Sequence, residues 1–154
     1  MWTQLRPWLL HLDPIRIEDA FTKGIPDVNY VHGWIELKAL EKVPVRPTTI
    51  LSVNHFTAQQ RIWLDQRWKA GGLAWLLLKA VDEWLLFDGS TASRIVGRVP
   101  LVALRRGAVW IANQPDRSLI DWLCNRPTNH SFLPDSQQNS DLSLPAQSTE
   151  LRPS

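Results

Sequence analysis

Hydrophobic and polar positions alternate with a period of two along three segments near the start of the chain. These segments are 14–21 (PIRIEDAF), 25–31 (IPDVNYV) and 33–40 (GWIELKAL). Such alternation predicts half-buried β-strands. The dipeptide His32-Gly33 between the last two segments predicts a tight hairpin. Residues 1–12 instead repeat apolar side chains every three or four positions, which predicts a short helix.

A longer helical pattern follows a loop that contains two prolines. Thr57 is a good helix cap, and Gly71-Gly72 provides a stop signal, so we expect a helix between them. The continuous apolar run 73–81 is typical of a strand that is buried on both faces. The remaining predicted elements are a strand at 83–89, helices at 90–99 and 116–125, and a less regular segment at 100–113.

This order, α-β-β-β-α-β-β-α, predicts an α/β fold with a single mixed sheet flanked by helices. We expect the domain to span residues 1–126. From residue 127 onward the chain is rich in Ser, Gln, Asn, Pro and Asp and holds few aromatic side chains. That composition buries too little apolar surface to fold, so residues 127–154 are predicted to form a disordered acidic tail.

Composition narrows the class of protein. Cys124 is the single cysteine, which excludes a disulfide framework and a cysteine-based zinc cluster and suits a reducing compartment. The N-terminus lacks the features of a signal peptide, and no apolar stretch approaches the length of a membrane span. We therefore expect a cytoplasmic protein that does not contact membranes.

Three charged side chains fall on the predicted hairpin. Glu36 and Lys38 are two residues apart, so they share one face of their strand, and Asp27 would lie alongside Glu36 if the two strands pair. Two adjacent carboxylates repel each other unless a cation joins them, and Mg²⁺ prefers such oxygen ligands. In the alternative interpretation, Asp27 is a turn residue after Pro26, and Glu36 and Lys38 form an exposed ion pair.

The residues Pro26-Asp27 and Glu36-Leu37-Lys38 resemble the signature of the PD-(D/E)XK nuclease superfamily. More narrowly, residues 14–88 resemble small phage nucleases of the VRR-NUC and Holliday-junction-resolvase type. The resemblance implies a restriction-endonuclease-like α/β fold with an αβββαβ core. It also implies the host cytoplasm as the location if the gene is carried by a phage.

The resemblance assigns roles to the residues of the hairpin. Asp27, Glu36 and the backbone carbonyl of Leu37 would hold Mg²⁺, for which Mn²⁺ can substitute. Lys38 would position the attacking water and stabilise the transition state.

The resemblance further implies a glutamine on the following helix and an acidic residue near the N-terminus. Gln60 matches the family's helix glutamine best, with Gln59 as the alternative in register. Many relatives carry an acidic ligand on the first helix, but residues 2–12 contain no Asp or Glu. Glu18, on the first predicted strand, is the expected substitute.

The implied function is that of an Mg²⁺-dependent DNA endonuclease that cuts branched or junction DNA. The alternatives are a general DNA nuclease or nickase without junction preference, and a non-catalytic DNA-binding module of the same fold. Because symmetric cutting of a junction needs two active sites, we expect a homodimer that uses residues 100–124, including Trp110 and Trp122. Five basic residues are candidates for phosphate contacts: Arg16, Lys23, Arg61, Arg67 and Lys69.

Overall fold

The computed structural model describes residues 1–18 and 24–127. Its helices are α1 (Trp2–Leu9), α2 (Ala58–Lys69), α3 (Gly89–Ile95), α4 (Leu101–Gly107) and α5 (Arg117–Cys124). Its strands are β1 (Ile15–Arg16), β2 (Val28–Tyr30), β3 (Gly33–Leu40), β4 (Leu73–Ala80), β5 (Glu83–Asp88) and β6 (Trp110–Ala112). The predicted αβββαβ core of the restriction-endonuclease-like fold is therefore confirmed, because α1, β1, β2, β3, α2 and β4 follow in that order.

The six strands form one mixed sheet in which the spatial order equals the chain order, β1 to β6. Strands β3 and β4 are parallel, and the crossover connection that a parallel pair requires contains α2. All other neighbouring pairs are antiparallel. Strand β4 lies inside the sheet and is buried along most of its length, as its continuous apolar sequence predicts.

Helices cover both faces of the sheet and divide the core into two layers. One layer packs the sheet against α1 and α5, and the other packs it against α2, α3 and α4. Strand β3 contributes to both layers because its side chains alternate between the faces. Ile35 and Leu37 point into the first layer, whereas Glu36 and Lys38 point towards the second, on the side of α2.

Helix α2 begins and ends as the sequence predicts. The Thr57 hydroxyl accepts a hydrogen bond from the Gln60 backbone, and the Gln60 side chain accepts one from the Thr57 backbone, which completes a capping box. After α2, Gly71 adopts a positive φ of 95°, a conformation that glycine tolerates without strain. The cap fixes the first turn of α2 against the loop before it.

Several predicted boundaries differ from the structure. The hairpin turn is formed by Val31 and His32, and Gly33 is already the first residue of β3. Within the described residues 14–18 of the predicted strand 14–21, only Ile15–Arg16 form a strand, β1, and residues 19–23 lie outside the described part. The irregular segment 100–113 resolves into α4 and β6, which extends the sheet by one edge strand.

The described part of the chain ends at residue 127, where the predicted tail begins. Residues 128–154 of the predicted tail lie outside the described residues, so the disorder assigned to them stays a prediction. At the domain boundary, the Arg126 guanidinium donates to the Trp68 carbonyl at 2.8 Å and stacks over the Trp68 ring at 4.3 Å. Within residues 1–18 and 24–127, no helix has the length and apolar character that crossing a bilayer requires.

Candidate active site

Strand register brings Asp27 and Glu36 together. Val28 pairs with Ile35 in the antiparallel β2–β3 ladder, so Asp27, one step earlier, lies opposite Glu36, one step later. The Leu37 N–H donates to Asp27 Oδ2 at 2.8 Å, which holds the Asp27 carboxylate against β3. The prediction of a carboxylate pair depended on pairing between these two strands, and the strands do pair.

Glu36 is buried in an unusual environment for a carboxylate. Its side chain is 0% exposed, and it is the one buried polar or charged residue within the described ranges. Its Oε1 atom accepts from Lys38 Nζ at 2.6 Å and from Gln60 Nε2 at 2.7 Å. Its Oε2 atom is buried and has no hydrogen-bond partner there. An orphaned carboxylate oxygen is costly in a protein interior and needs a positive or donating partner.

The protonation of Glu36 reflects this environment. Burial, and after it the neighbouring Asp27 carboxylate, raises the pKa of Glu36 from its ordinary 4.5 to about 7. The Lys38 ammonium acts in the opposite direction but does not compensate. Without a further cation, the site therefore opposes the negative charge on Glu36.

Lys38 is held by two acceptors on different elements. Besides the Glu36 carboxylate, its ammonium donates to the His55 backbone carbonyl at 2.9 Å. His55 adopts a positive φ of 60°, which is uncommon for a residue other than glycine. An ammonium has three donors, so one N–H of Lys38 is left for a water or a phosphate oxygen.

Gln60, rather than Gln59, reaches the carboxylate pair. The Gln60 amide oxygen accepts from the Thr57 N–H at 3.0 Å, while its nitrogen donates to Glu36. The amide thus links the helix cap to the carboxylate and fixes the orientation of both. Gln59 is exposed, and its backbone lies next to Gly24.

Glu18 does not join this cluster in the structure. It is exposed and follows Ile17, whose N–H donates to the Asp27 carbonyl at 2.8 Å. In the described part of the chain, no group of three or more acidic, His or Cys side chains is arranged to hold a metal ion. The assignment of Glu18 as a catalytic residue thus stays a prediction.

The oxygen atoms at the hairpin fit a hard divalent cation. Asp27 and Glu36 supply two carboxylates, and the orphaned Glu36 Oε2 is free to act as a ligand. The N–H and carbonyl of one strand residue point to the same edge, so the Leu37 carbonyl lies on the side of Asp27. Two carboxylates and a carbonyl are ligands that Mg²⁺ prefers, with waters completing its coordination.

The other basic residues proposed from the sequence are scattered. Arg16 lies 3.8 Å from Asp27 Oδ1, Arg67 stacks over Trp63, and Lys69 pairs with Asp65 on the surface of α2. Lys23 lies outside the described residues. Sequence reasoning missed the His55 carbonyl, and no sequence signal marks it, although the Thr57-x-x-Gln60 spacing does predict the capping box beside it.

Comparisons with known proteins show a distant structural likeness and no sequence relative. No protein-family model matches the chain, and no curated protein matches it. Among solved structures the chain is similar to Hjc, a Holliday junction resolvase from Archaeoglobus fulgidus, an archaeal hyperthermophile. That match has 18% identity and a TM-score of 0.43, and covers 70% of this chain and 94% of Hjc. A likeness this distant assigns neither a substrate nor a residue role, so the roles proposed below rest on contacts within this chain.

Proposed function

We propose that this chain is a metal-dependent DNA endonuclease that hydrolyses phosphodiester bonds, with Mg²⁺ bound by Asp27, Glu36 and the Leu37 carbonyl. Mn²⁺ can substitute for Mg²⁺. The observation that carries the proposal is the fully buried Glu36, which has a second carboxylate beside it and one oxygen without a partner. A structural ion pair with Lys38 alone would explain the contacts of Oε1, but it would leave the buried Oε2 without a partner.

The side chains around the carboxylates have distinct roles in this proposal. Lys38, held by Glu36 and by the His55 carbonyl, directs its remaining N–H to the attacking water or to a phosphoryl oxygen. Gln60 keeps the Glu36 carboxylate oriented by donating to Oε1, so that Oε2 would be available to hold the cation. When bound, Mg²⁺ supplies positive charge that stabilises the charge developing on the phosphoryl oxygens. We expect products with a 5′-phosphate and a 3′-hydroxyl.

Branched DNA is the proposed substrate, and its basis is the sequence resemblance to junction resolvases. A general nuclease or nickase would use the same carboxylates and lysine, and a non-catalytic DNA-binding module would retain the fold. The catalytic proposal is favoured over the module because a protein that only binds DNA has no need for the buried charge at Glu36, which is costly to maintain.

A homodimer is proposed to place two such sites on one junction. Trp110, expected to contribute to the interface, is 7% exposed, and its indole donates to Ser118 Oγ at 2.8 Å within the same chain. The apolar surface available in residues 100–124 is instead formed by Val102 and Ile111, which are 44% and 41% exposed. Ile111 lies on β6, an edge strand whose free backbone groups can pair with a second copy.

Light scattering at micromolar concentration tests the dimer. We expect twice the monomer mass for the wild type and a monomer for Ile111→Lys. Ile62→Lys, which changes an exposed isoleucine on α2, is the matched control and should remain dimeric. A monomeric wild type would remove the structural reason for a junction preference.

The function itself is tested by cleavage of a panel of labelled DNAs. The panel contains a four-way junction, a flap, a nicked duplex, a linear duplex and a single strand, each with Mg²⁺ or with EDTA. We expect cleavage that requires Mg²⁺ and is fastest on the junction, and no cleavage by Glu36→Gln. Equal rates on all substrates would favour the general nuclease, and DNA binding without any cleavage would favour the module.

A further inference from the structure

The Arg61 side chain, on α2, is held in a fixed orientation by two contacts. It follows Gln60 on α2, and its guanidinium stacks over the Phe56 ring at 4.1 Å. Its Nη1 atom donates to the Ser93 carbonyl at 3.2 Å. A guanidinium has five N–H donors, so most of those of Arg61 remain available. The side chain is half-buried, which distinguishes it from a freely solvated surface arginine.

A second arginine lies next to Arg61. A Cβ atom on Gly97 would come within 3.2 Å of Arg61 Nη2, so this nitrogen lies against the backbone that leads into Arg98. Burial, and after it the charge of Arg98, lowers the pKa of Arg61. None of the ion pairs formed within residues 1–18 and 24–127 involves either arginine. Two neighbouring cations without a carboxylate are stabilised when an anion joins them.

The arginine pair is connected to the catalytic lysine through one short loop. Lys38 donates to the His55 carbonyl. The Arg61 guanidinium stacks on the ring of the next residue, Phe56. On the helix side, Gln60 contacts Glu36 and directly precedes Arg61. Arg61 is therefore positioned by the same loop and the same helical turn that position Lys38 and Glu36.

We propose that Arg61 and Arg98 bind a backbone phosphate of the nucleic acid strand that is cut, next to the scissile phosphate. This inference rests on the proposed function and adds a substrate contact to it. Guanidinium groups present paired N–H donors that match two phosphate oxygens, and such contacts fix the strand without reading its sequence. The pair would thus hold the strand in register with the carboxylates.

The test is DNA binding measured by fluorescence anisotropy over a series of salt concentrations. The probe is a fluorescein-labelled four-way junction, and EDTA is present throughout so that no cleavage occurs. The variants are Arg61→Gln, Arg98→Gln and the double variant. Arg117→Gln is the matched control, because Arg117 is an exposed arginine on α5, on the opposite face of the sheet.

Each variant should weaken binding roughly tenfold at low salt, as expected for loss of a charged hydrogen bond. The slope of log K against log salt should fall by about 0.9 for each phosphate contact removed. Arg117→Gln should match the wild type. Arg98 is exposed, so Arg98→Gln should leave the fold intact. It therefore remains a valid test if Arg61→Gln lowers the melting temperature.

Two negative outcomes are distinguishable. If the wild type binds the junction and the variants bind as tightly as Arg117→Gln, the phosphate contact is overturned while the nuclease proposal stands. If the wild type does not bind DNA at any salt concentration, the proposed function fails and the inference fails with it.

Discussion

Replacing Glu36 by Gln should stabilise the metal-free protein at high pH, although it removes a proposed metal ligand. The change keeps the shape of the side chain, and the neutral amide resembles the protonated carboxyl. The folded protein raises the pKa of Glu36 from 4.5 to about 7, so it binds the proton more tightly than the unfolded chain does. For such a group, folding stability is fully present below the unfolded pKa and is lost as the pH rises towards the folded pKa.

The size of the effect follows from the same pKa. Between pH 4.5 and pH 7 the wild type should lose stability on the order of 3 kcal/mol from Glu36. Because the side chain is 0% exposed, solvent screening does not reduce this value. In EDTA at pH 8 we therefore expect Glu36→Gln to melt roughly 10 °C above the wild type. At pH 4.5 the two proteins should melt together.

The assay is thermal unfolding followed by circular dichroism from pH 4.5 to pH 8, in EDTA and in Mg²⁺. Mg²⁺ at about one hundred times its Kd should stabilise the wild type at pH 8 by about 2.7 kcal/mol, but should leave Glu36→Gln nearly unchanged. Glu41→Gln is the control, since it makes the same chemical change at an exposed residue. A Glu36→Gln protein that is less stable than wild type in EDTA at pH 8 would refute the reasoning.

Three further substitutions test two contacts of the site and one contact in the core. Lys38→Ala should lower the cleavage rate roughly a hundredfold or more while calorimetry still detects Mg²⁺ binding; an unchanged rate would exclude Lys38 from the chemistry. Gln60→Leu removes the hydrogen bond to the Glu36 carboxylate and half of the capping box. Both the cleavage rate and the melting temperature should therefore fall, whereas the control Gln59→Leu should change neither. Tyr30→Phe removes the buried bond from the phenol to the Leu123 carbonyl and should cost about 1–3 kcal/mol in urea unfolding; no measurable loss would mean that water replaces it.

The carboxylate pair was predictable because it depends on strand alternation and on one hairpin. The two-residue period places Glu36 and Lys38 on one face, and pairing of the flanking strands places Asp27 opposite Glu36. The capping signal at Thr57 likewise fixes where α2 begins. These are local features that the sequence pattern indicates, although that pattern left open an exposed Glu36–Lys38 ion pair. The complete burial of Glu36 rules out that alternative.

Contacts between distant segments were not predictable in this way. The His55 carbonyl accepts from Lys38 across 17 positions of the chain, and its backbone has a positive φ although the residue is not a glycine. Arg98 approaches Arg61 through the packing of α3 against α2. Trp110 was expected at an interface, but it is buried because β6 joins the sheet beneath α5. Each of these depends on tertiary packing, which a linear pattern does not contain.

Nicking of supercoiled plasmid DNA tests the central claim most directly, because one broken phosphodiester bond changes the plasmid's mobility in a gel. We expect the wild type to nick or linearise the plasmid in Mg²⁺ or Mn²⁺ and to leave it intact in EDTA. Asp27→Asn, which keeps the hydrogen bond from the Leu37 N–H available but removes the charge, should leave it intact under all conditions. Plasmid that stays supercoiled with the wild type in both metals, or nicking by Asp27→Asn at the wild-type rate, would contradict the assignment of this carboxylate pair as a nuclease metal site.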